Sequence, residues 1–326
     1  MELIDLRIGN PDIIIELLSA SHSKKSVESS IYEGMPYQKE GPYQETVNKI
    51  IQLHEKFHPK LLNKDSKIVV GSGASQIISS IFSINNNICV PKPFWFRTPI
   101  LAEKNKSKIQ EYKYYNSNSF NLITYPNNPC GSLILSSSKN SFYDSVYLWP
   151  WYFNTDSEYN NAIEKLCDTQ KIATIFSLSK MSGHCGVRFG WAVVEDNSIY
   201  EKICEYMEFE SGGLGYDTQK KACSIIDTLL NNSDWNDILS NIQKILYSRK
   251  LFISDLCEKN GWVYYKKPGM FAWISTKGNS LEELKNIGIL GTCGSKCGGS
   301  TNQVRINLAV DTKTWDSLTE IFKNSL

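Results

Sequence analysis

The sequence lacks a membrane span: no apolar run approaches the ~20 residues that a bilayer crossing needs. It has no surplus of charge, with 35 Lys and Arg against 34 Asp and Glu and a formal net charge of +1. Neither a nucleic acid nor a membrane surface is therefore an expected partner. The N-terminus, Met1-Glu2-Leu3-Ile4-Asp5, is acidic and soon polar, unlike a secretory leader. Internal repeats and low-complexity linkers are missing as well. Nine cysteines are an odd count, and several sit in apolar segments such as Ile88-Cys89-Val90, where a thiol packs as a small hydrophobe. A reduced, cytoplasmic setting is expected rather than a disulfide framework. What is left is an ordinary 326-residue chain, 41% hydrophobic and 21% charged, long enough for one large core with a smaller satellite.

Histidine is scarce, at four residues, yet His54-Glu55-Lys56-Phe57-His58 formally matches the H-E-x-x-H zinc motif on an amphipathic helical pattern from Pro42 to His58. A zinc site needs a third protein ligand. Only His22 and His184 remain among the histidines, with an acidic side chain as the other option, and Pro59 stops the helix at once. Cys293 and Cys297 flank a glycine-rich loop without further ligands at suitable spacing. No metal is expected.

The chain is organised around Ser177-Leu178-Ser179-Lys180-Met181-Ser182-Gly183-His184-Cys185-Gly186-Val187-Arg188-Phe189-Gly190-Trp191. This stretch lies between two apolar runs that read as buried strands. A lysine in such a turn is most often solvated, so its neighbours have to decide its role. Strand Lys67–Val70 runs through Gly71-Ser72-Gly73-Ala74-Ser75 into a helix, leaving backbone N–H groups and a positive dipole end as an anion cradle. Other strands end in Pro91-Lys92-Pro93-Phe94-Trp95-Phe96-Arg97, in Pro126-Asn127-Asn128-Pro129-Cys130-Gly131, and in the segment from Asp144 to Tyr147. Strands alternating with helices over 65–195 predict an α/β domain with a mostly parallel sheet, its ligands at the carboxyl ends of the strands. Residues 13–31 read as mixed, Ser-rich surface structure. Beyond Trp191 come helical patterns over roughly 198–210, 216–230 and 234–259, then strands and helices of an α+β unit.

A phosphate cradle, an aromatic platform, an Asn turn, an Asp–Tyr pair and a lysine followed by an arginine are together the parts needed to hold pyridoxal phosphate. With Tyr143-Asp144-Ser145-Val146-Tyr147-Leu148-Trp149-Pro150, the Pro-Asn-Asn-Pro-Cys-Gly and Phe-Trp-Phe turns, and Asn302-Gln303-Val304-Arg305-Ile306-Asn307-Leu308, the lysine segment resembles the fold-type I aminotransferases. Within them it is similar to the alliinase and tryptophan-aminotransferase-related family, over about residues 5–310. The resemblance implies the aspartate-aminotransferase-like fold, with a large cofactor-binding α/β domain over 40–235 and a small α+β domain from 1–39 and 236–326.

It also implies roles for single positions. Lys180 would meet the cofactor aldehyde and move the Cα proton, Asp144 would face the pyridine nitrogen, and Asn128 and Tyr147 would bond the ring oxygen. Trp95 would stack on the ring, while Ala74, Ser75, Ser177 and Arg188 would bind the phosphate. Arg305 would take the substrate α-carboxylate, with Gly9 and Asn10 lining the pocket. Tyr37, with Tyr32 as competitor, would reach the phosphate of a second subunit in a homodimer. The implied reaction moves an amino group from an L-amino acid to a 2-oxo acid. Trp95, Trp149 and Trp151 point to an aromatic or large donor side chain, and elimination or cyclisation of the alliinase type is the alternative.

Overall fold

The computed structural model describes residues 3–20, 41–112 and 119–323. Strand β1 (Ile4–Asp5) and helix α1 (Asp12–Ala20) precede α2 (Gln44–Phe57). An alternating stretch follows: β2 (Lys67–Ser72), α3 (Ala74–Ile84), β3 (Asn87–Pro91), α4 (Thr98–Lys104), β4 (Lys108–Tyr112), β5 (Phe120–Thr124), β6 (Ser141–Asp144), α5 (Asp156–Cys167), β7 (Ala173–Ser177), the single turn α6 (Leu178–Met181) and β8 (Phe189–Val194). Helices α7 (Asn197–Ser211), α8 (Tyr216–Asn231) and α9 (Trp235–Asn260) come next. The chain then forms β9 (Val263–Tyr264), β10 (Phe271–Ser275), α10 (Ser280–Asn286), β11 (Ile289–Leu290), β12 (Thr292–Cys293), β13 (Gln303–Asn307) and α11 (Thr312–Lys323).

Seven strands form one sheet in the order β2-β8-β7-β6-β5-β3-β4. Strands β7, β6, β5, β3 and β4 are parallel neighbours, while β8 runs antiparallel to both β2 and β7. The cause lies in the link: residues 178–188 hold only one α-helical turn and one 3-10 turn, too little for the crossover a parallel return requires. Strands β6, β7 and β8 are buried along their whole length, because helices cover both faces of the sheet. One face packs on Ile77, Ile81 and Phe82 of α3 and Ile203 of α7. The other packs on Ile50 and Leu53 of α2 and Ile226 of α8.

The antiparallel sheet β12-β13-β10-β9 stands apart from the first in sequence. The N-terminal strand joins this part of the chain, with β1 parallel to β11 and Asn307 N donating to Leu6 O at 2.9 Å. One expectation fails here: the start of the stretch read as surface structure is helix α1, with Ile13 and Ile14 buried. Its short apolar run hid the helical period.

The H-E-x-x-H segment belongs to the core. His54 and His58 are fully buried, their rings 5.0 Å apart, among Phe176, Trp149 and Trp191. An indole N–H only donates, so His54 Nε2 accepts from Trp191 Nε1 at 2.8 Å. A carbonyl only accepts, so His58 Nε2 donates to Leu148 O at 2.9 Å. Glu55 is exposed, and among the described residues no three His, Cys, Asp or Glu side chains are grouped to hold a metal ion.

Burial holds both imidazoles neutral, lowering the pKa of His58 to about 4 and that of His54 well below its ordinary value, with His58 adding to the effect. Between an unfolded pKa near 6.5 and about 4, the unfolded chain binds a proton that the native imidazole refuses. Stability from this site is therefore present above pH 6.5 and lost as pH falls through that window. His58 alone is expected to cost about 2 kcal/mol between pH 7 and pH 5. Urea midpoints at the two pH values should show a shallower fall in His58→Gln, and an equal fall would reject this origin.

Candidate active site

The carboxyl ends of β2, β3, β5, β6 and β7 meet the start of β8 at one edge of the sheet. At β2, Gly73 has φ +73° and caps the start of α3, freeing the first N–H groups of Ala74 and Ser75. Arg188, the residue before β8, lies in the left-handed region, φ +55°, a conformation that costs a non-glycine residue about 1 kcal/mol. Its Nη1 donates to Cys185 O at 3.0 Å and its Nη2 to Ser72 O at 3.2 Å. A Cβ on Gly73 would overlap that guanidinium, so glycine is what lets the arginine lie against the helix start. Ser177 Oγ accepts from Ser179 N at 3.1 Å and donates to Phe189 O at 3.2 Å, so its proton is already held within the fold.

Lys180 sits on α6, whose backbone is fixed by Tyr152 OH donating to Lys180 O at 2.7 Å. Its Nζ donates to Gly9 O. Burial lowers the Lys180 pKa; Cys185 and Asp12 oppose the shift, and Arg305 and Arg188 reinforce it. Asp144 ends β6, and burial raises its pKa to about 7 against the Val146 N–H, the Thr124 hydroxyl and the Lys180 charge. Its Oδ1 is buried with no hydrogen-bond partner.

Asn128 Nδ2 donates to Tyr147 OH at 2.9 Å, and Arg305 Nη1 donates to Asn128 Oδ1 at 2.9 Å. Burial pushes the Tyr147 phenol upward. Arg305 is only 2% exposed, lies 4.2 Å from the Phe271 ring centroid, and keeps a buried Nε without a partner.

The N-terminal segment closes over this group. Arg305 Nη2 donates to Arg7 O at 2.9 Å, and Asn307 Nδ2 donates to Ile8 O at 2.8 Å and Asn10 O at 2.7 Å. Gly9, Asn10, Ala74, Ser75, Trp95, Asn128, Asp144, Tyr147, Ser177, Lys180, Arg188 and Arg305 all line one cavity of about 690 Å³. Tyr37 and Tyr32 lie outside the described residues.

Trp149 and Trp151 do not line the cavity. They are buried and stacked with centroids 5.6 Å apart, because the chain turns into the histidine core after Tyr147. Sequence reasoning missed Phe96, Arg97, Phe271, Thr292 and Lys296, which do line it, and Asn307, which pins the N-terminal segment. Phe96 and Arg97 had a signal in the strand-end turn that carries Trp95, and Asn307 in its place two residues after Arg305 on the same strand face.

These residues fit pyridoxal phosphate. The unpartnered oxygen of Asp144 suits a ring N–H, the α3 start and Arg188 suit a phosphate, and Lys180 suits an aldehyde. Fold and donor set define a pyridoxal-phosphate-dependent enzyme of fold type I. An aminotransferase from Staphylococcus aureus shares the fold, with a TM-score of 0.73 at 18% identity over 99% of this chain and 94% of that one.

The allinase family model matches residues 4–326, and the chain belongs to that family. Tryptophan aminotransferase-related protein 2 of Arabidopsis thaliana is 25% identical over 305 residues, 81% of this chain and 67% of that protein. Alliin lyase of Allium cepa var. aggregatum is 31% identical over 190 residues, 50% of this chain and 39% of that protein. The chain thus spans about two thirds of the first relative and about two fifths of the second. No described helix is long and apolar enough to cross a membrane.

Proposed function

We propose that the enzyme is an aminotransferase, moving the amino group of an L-amino acid to a 2-oxo acid. The observation that carries this reading is the meeting of a buried amine, an unpartnered buried carboxylate oxygen and a buried guanidinium in one cavity. Transfer is favoured over elimination by the greater span of the match to the tryptophan aminotransferase-related protein. An aromatic or large donor side chain is favoured by Trp95, Phe96 and Phe271 on the cavity wall. The same reading takes the enzyme as a cytoplasmic homodimer, with domains over 40–235 and over 1–39 plus 236–326, and with Tyr37 reaching the partner.

Bound here, pyridoxal phosphate supplies an aldehyde for the amino group and a ring that accepts electrons. Ala74, Ser75 and Arg188 hold its phosphate, Trp95 covers the ring, and Asp144 keeps a proton on the ring nitrogen. Asn128 and Tyr147 bond the ring oxygen. Arg305, already anchored at Asn128 and Arg7, presents its remaining donors to the α-carboxylate and so fixes the Cα–H bond. Lys180 Nζ, made readily neutral by burial and by nearby cations, takes that proton and returns it.

The 31% identity to alliin lyase supports a second reading, elimination from the amino acid side chain. Product accounting separates the two. Transfer gives turnover that depends on a 2-oxo acid and releases no ammonia; ammonia release without an acceptor rejects it.

A further inference from the structure

The backbone of Lys180 is held from outside its own segment. Helix α6 is a single turn, and the carbonyls at a helix C-terminus have no partner within the helix. Leu178 O accepts from Ser182 N at 3.0 Å, and Ser179 O accepts from Cys185 Sγ at 3.3 Å. The Lys180 carbonyl takes its donor from a distant part of the chain, the Tyr152 hydroxyl at 2.7 Å. The peptide from which the Lys180 side chain reaches the cavity is thus anchored on Tyr152.

Tyr152 is itself fixed from its other end. It is fully buried and closes the 3-10 turn Pro150–Tyr152. Its carbonyl accepts from Gly269 N at 2.8 Å and from Lys250 Nζ of α9 at 3.4 Å, and the same Nζ donates to Asn154 Oδ1 at 3.0 Å. Gly269 stands two residues before Phe271, whose ring centroid lies 4.2 Å from the Arg305 guanidinium. One tyrosine therefore bonds the lysine segment through its hydroxyl and, through its carbonyl, both α9 and the strand that carries Phe271. Burial lowers the Lys250 pKa to about 8 against the charge of Glu158. An apolar side chain of similar length would avoid that desolvation cost, but would leave the turn without its bonds to α9 at this point.

We propose that Tyr152 is a positioning residue for Lys180, setting the place of the amine relative to Arg305, and that Lys250 acts through Tyr152 by clamping its turn to α9. The inference rests on Lys180 being the amine that meets the cofactor, and it holds for transfer and elimination alike.

Tyr152→Phe removes the hydroxyl alone. In the holoenzyme it is expected to lower kcat about tenfold or more, the scale of a small displacement of a reacting group. The donor KM should stay within about twofold, because Arg305 keeps its bonds to Asn128 and Arg7. Hydrogen exchange should quicken about fivefold over residues 178–182, the factor of one lost hydrogen bond, and stay unchanged over β7. Lys250→Met should lower kcat about threefold in the wild type and leave it within about 1.5-fold in Tyr152→Phe, the non-additivity of residues that act as a unit. Should Lys250→Met not fold, Asn154→Ala takes its place in the cycle. Unchanged kcat and exchange in Tyr152→Phe, or faster exchange throughout the fold with kcat per folded molecule retained, would overturn the positioning role. Equal losses from Lys250→Met in both backgrounds would overturn its action through Tyr152. A borohydride label on a lysine other than Lys180 in the wild type would instead overturn the assignment of Lys180 on which the inference rests.

Discussion

Lys180→Ala is expected to lower turnover by at least about 10³-fold, the scale of a lost general base, with loss of the covalent hold on the cofactor added to it. The folded state should survive the change. The Lys180 ammonium has its protein hydrogen bond at Gly9 O, and burial already disfavours its charge, so removing it relieves a desolvation cost. Circular dichroism and thermal unfolding should stay near wild type while steady-state turnover and the visible absorbance of the holoenzyme are lost. A variant that kept both would place the chemistry on another amine.

Asp144→Asn is the second large effect. The amide has the shape of the carboxyl but no negative charge, so it can neither balance a protonated ring nitrogen nor strengthen as charge develops. Turnover is expected to fall about 10²- to 10³-fold, with the cofactor still bound through Ala74, Ser75 and Arg188. Because burial holds the carboxyl near neutrality, at about 7, a cationic partner for Oδ1 would draw its pKa back down. Unchanged kcat in Asp144→Asn, with cofactor bound, would mean that no proton on the ring nitrogen is needed.

Much of this site is legible in the sequence because its residues sit at strand ends, where a buried apolar run meets Gly, Pro, Asn or Ser. Gly73, Asn128, Asp144 and Lys180 each follow such a run, and the parallel order of β3, β5, β6 and β7 brings the last three to one edge. The antiparallel direction of β8 is less legible, since an apolar run carries no sign of direction; only the short link before Arg188 hints at it. Phe271 and Lys296 come from the second sheet and its loops, and reach the cavity through tertiary contacts that no local pattern records. Trp149 and Trp151 misled for the opposite reason: they are close to Asp144 in sequence, yet the turn after Tyr147 carries them into the core, Trp149 beside His58 and Trp151 stacked on Trp149.

The most direct measurement fixes the cofactor to the amine that holds it. The protein is loaded with pyridoxal phosphate, reduced with borohydride, digested and mapped by mass spectrometry. Lys250 is the informative competitor, being buried with its pKa lowered to about 8. Its Nζ, however, is bound by Asn154 Oδ1 at 3.0 Å. The expected result is one phosphopyridoxyl group on the peptide carrying Lys180. A label on Lys250 or on surface lysines, or no label, would contradict the assignment of Lys180.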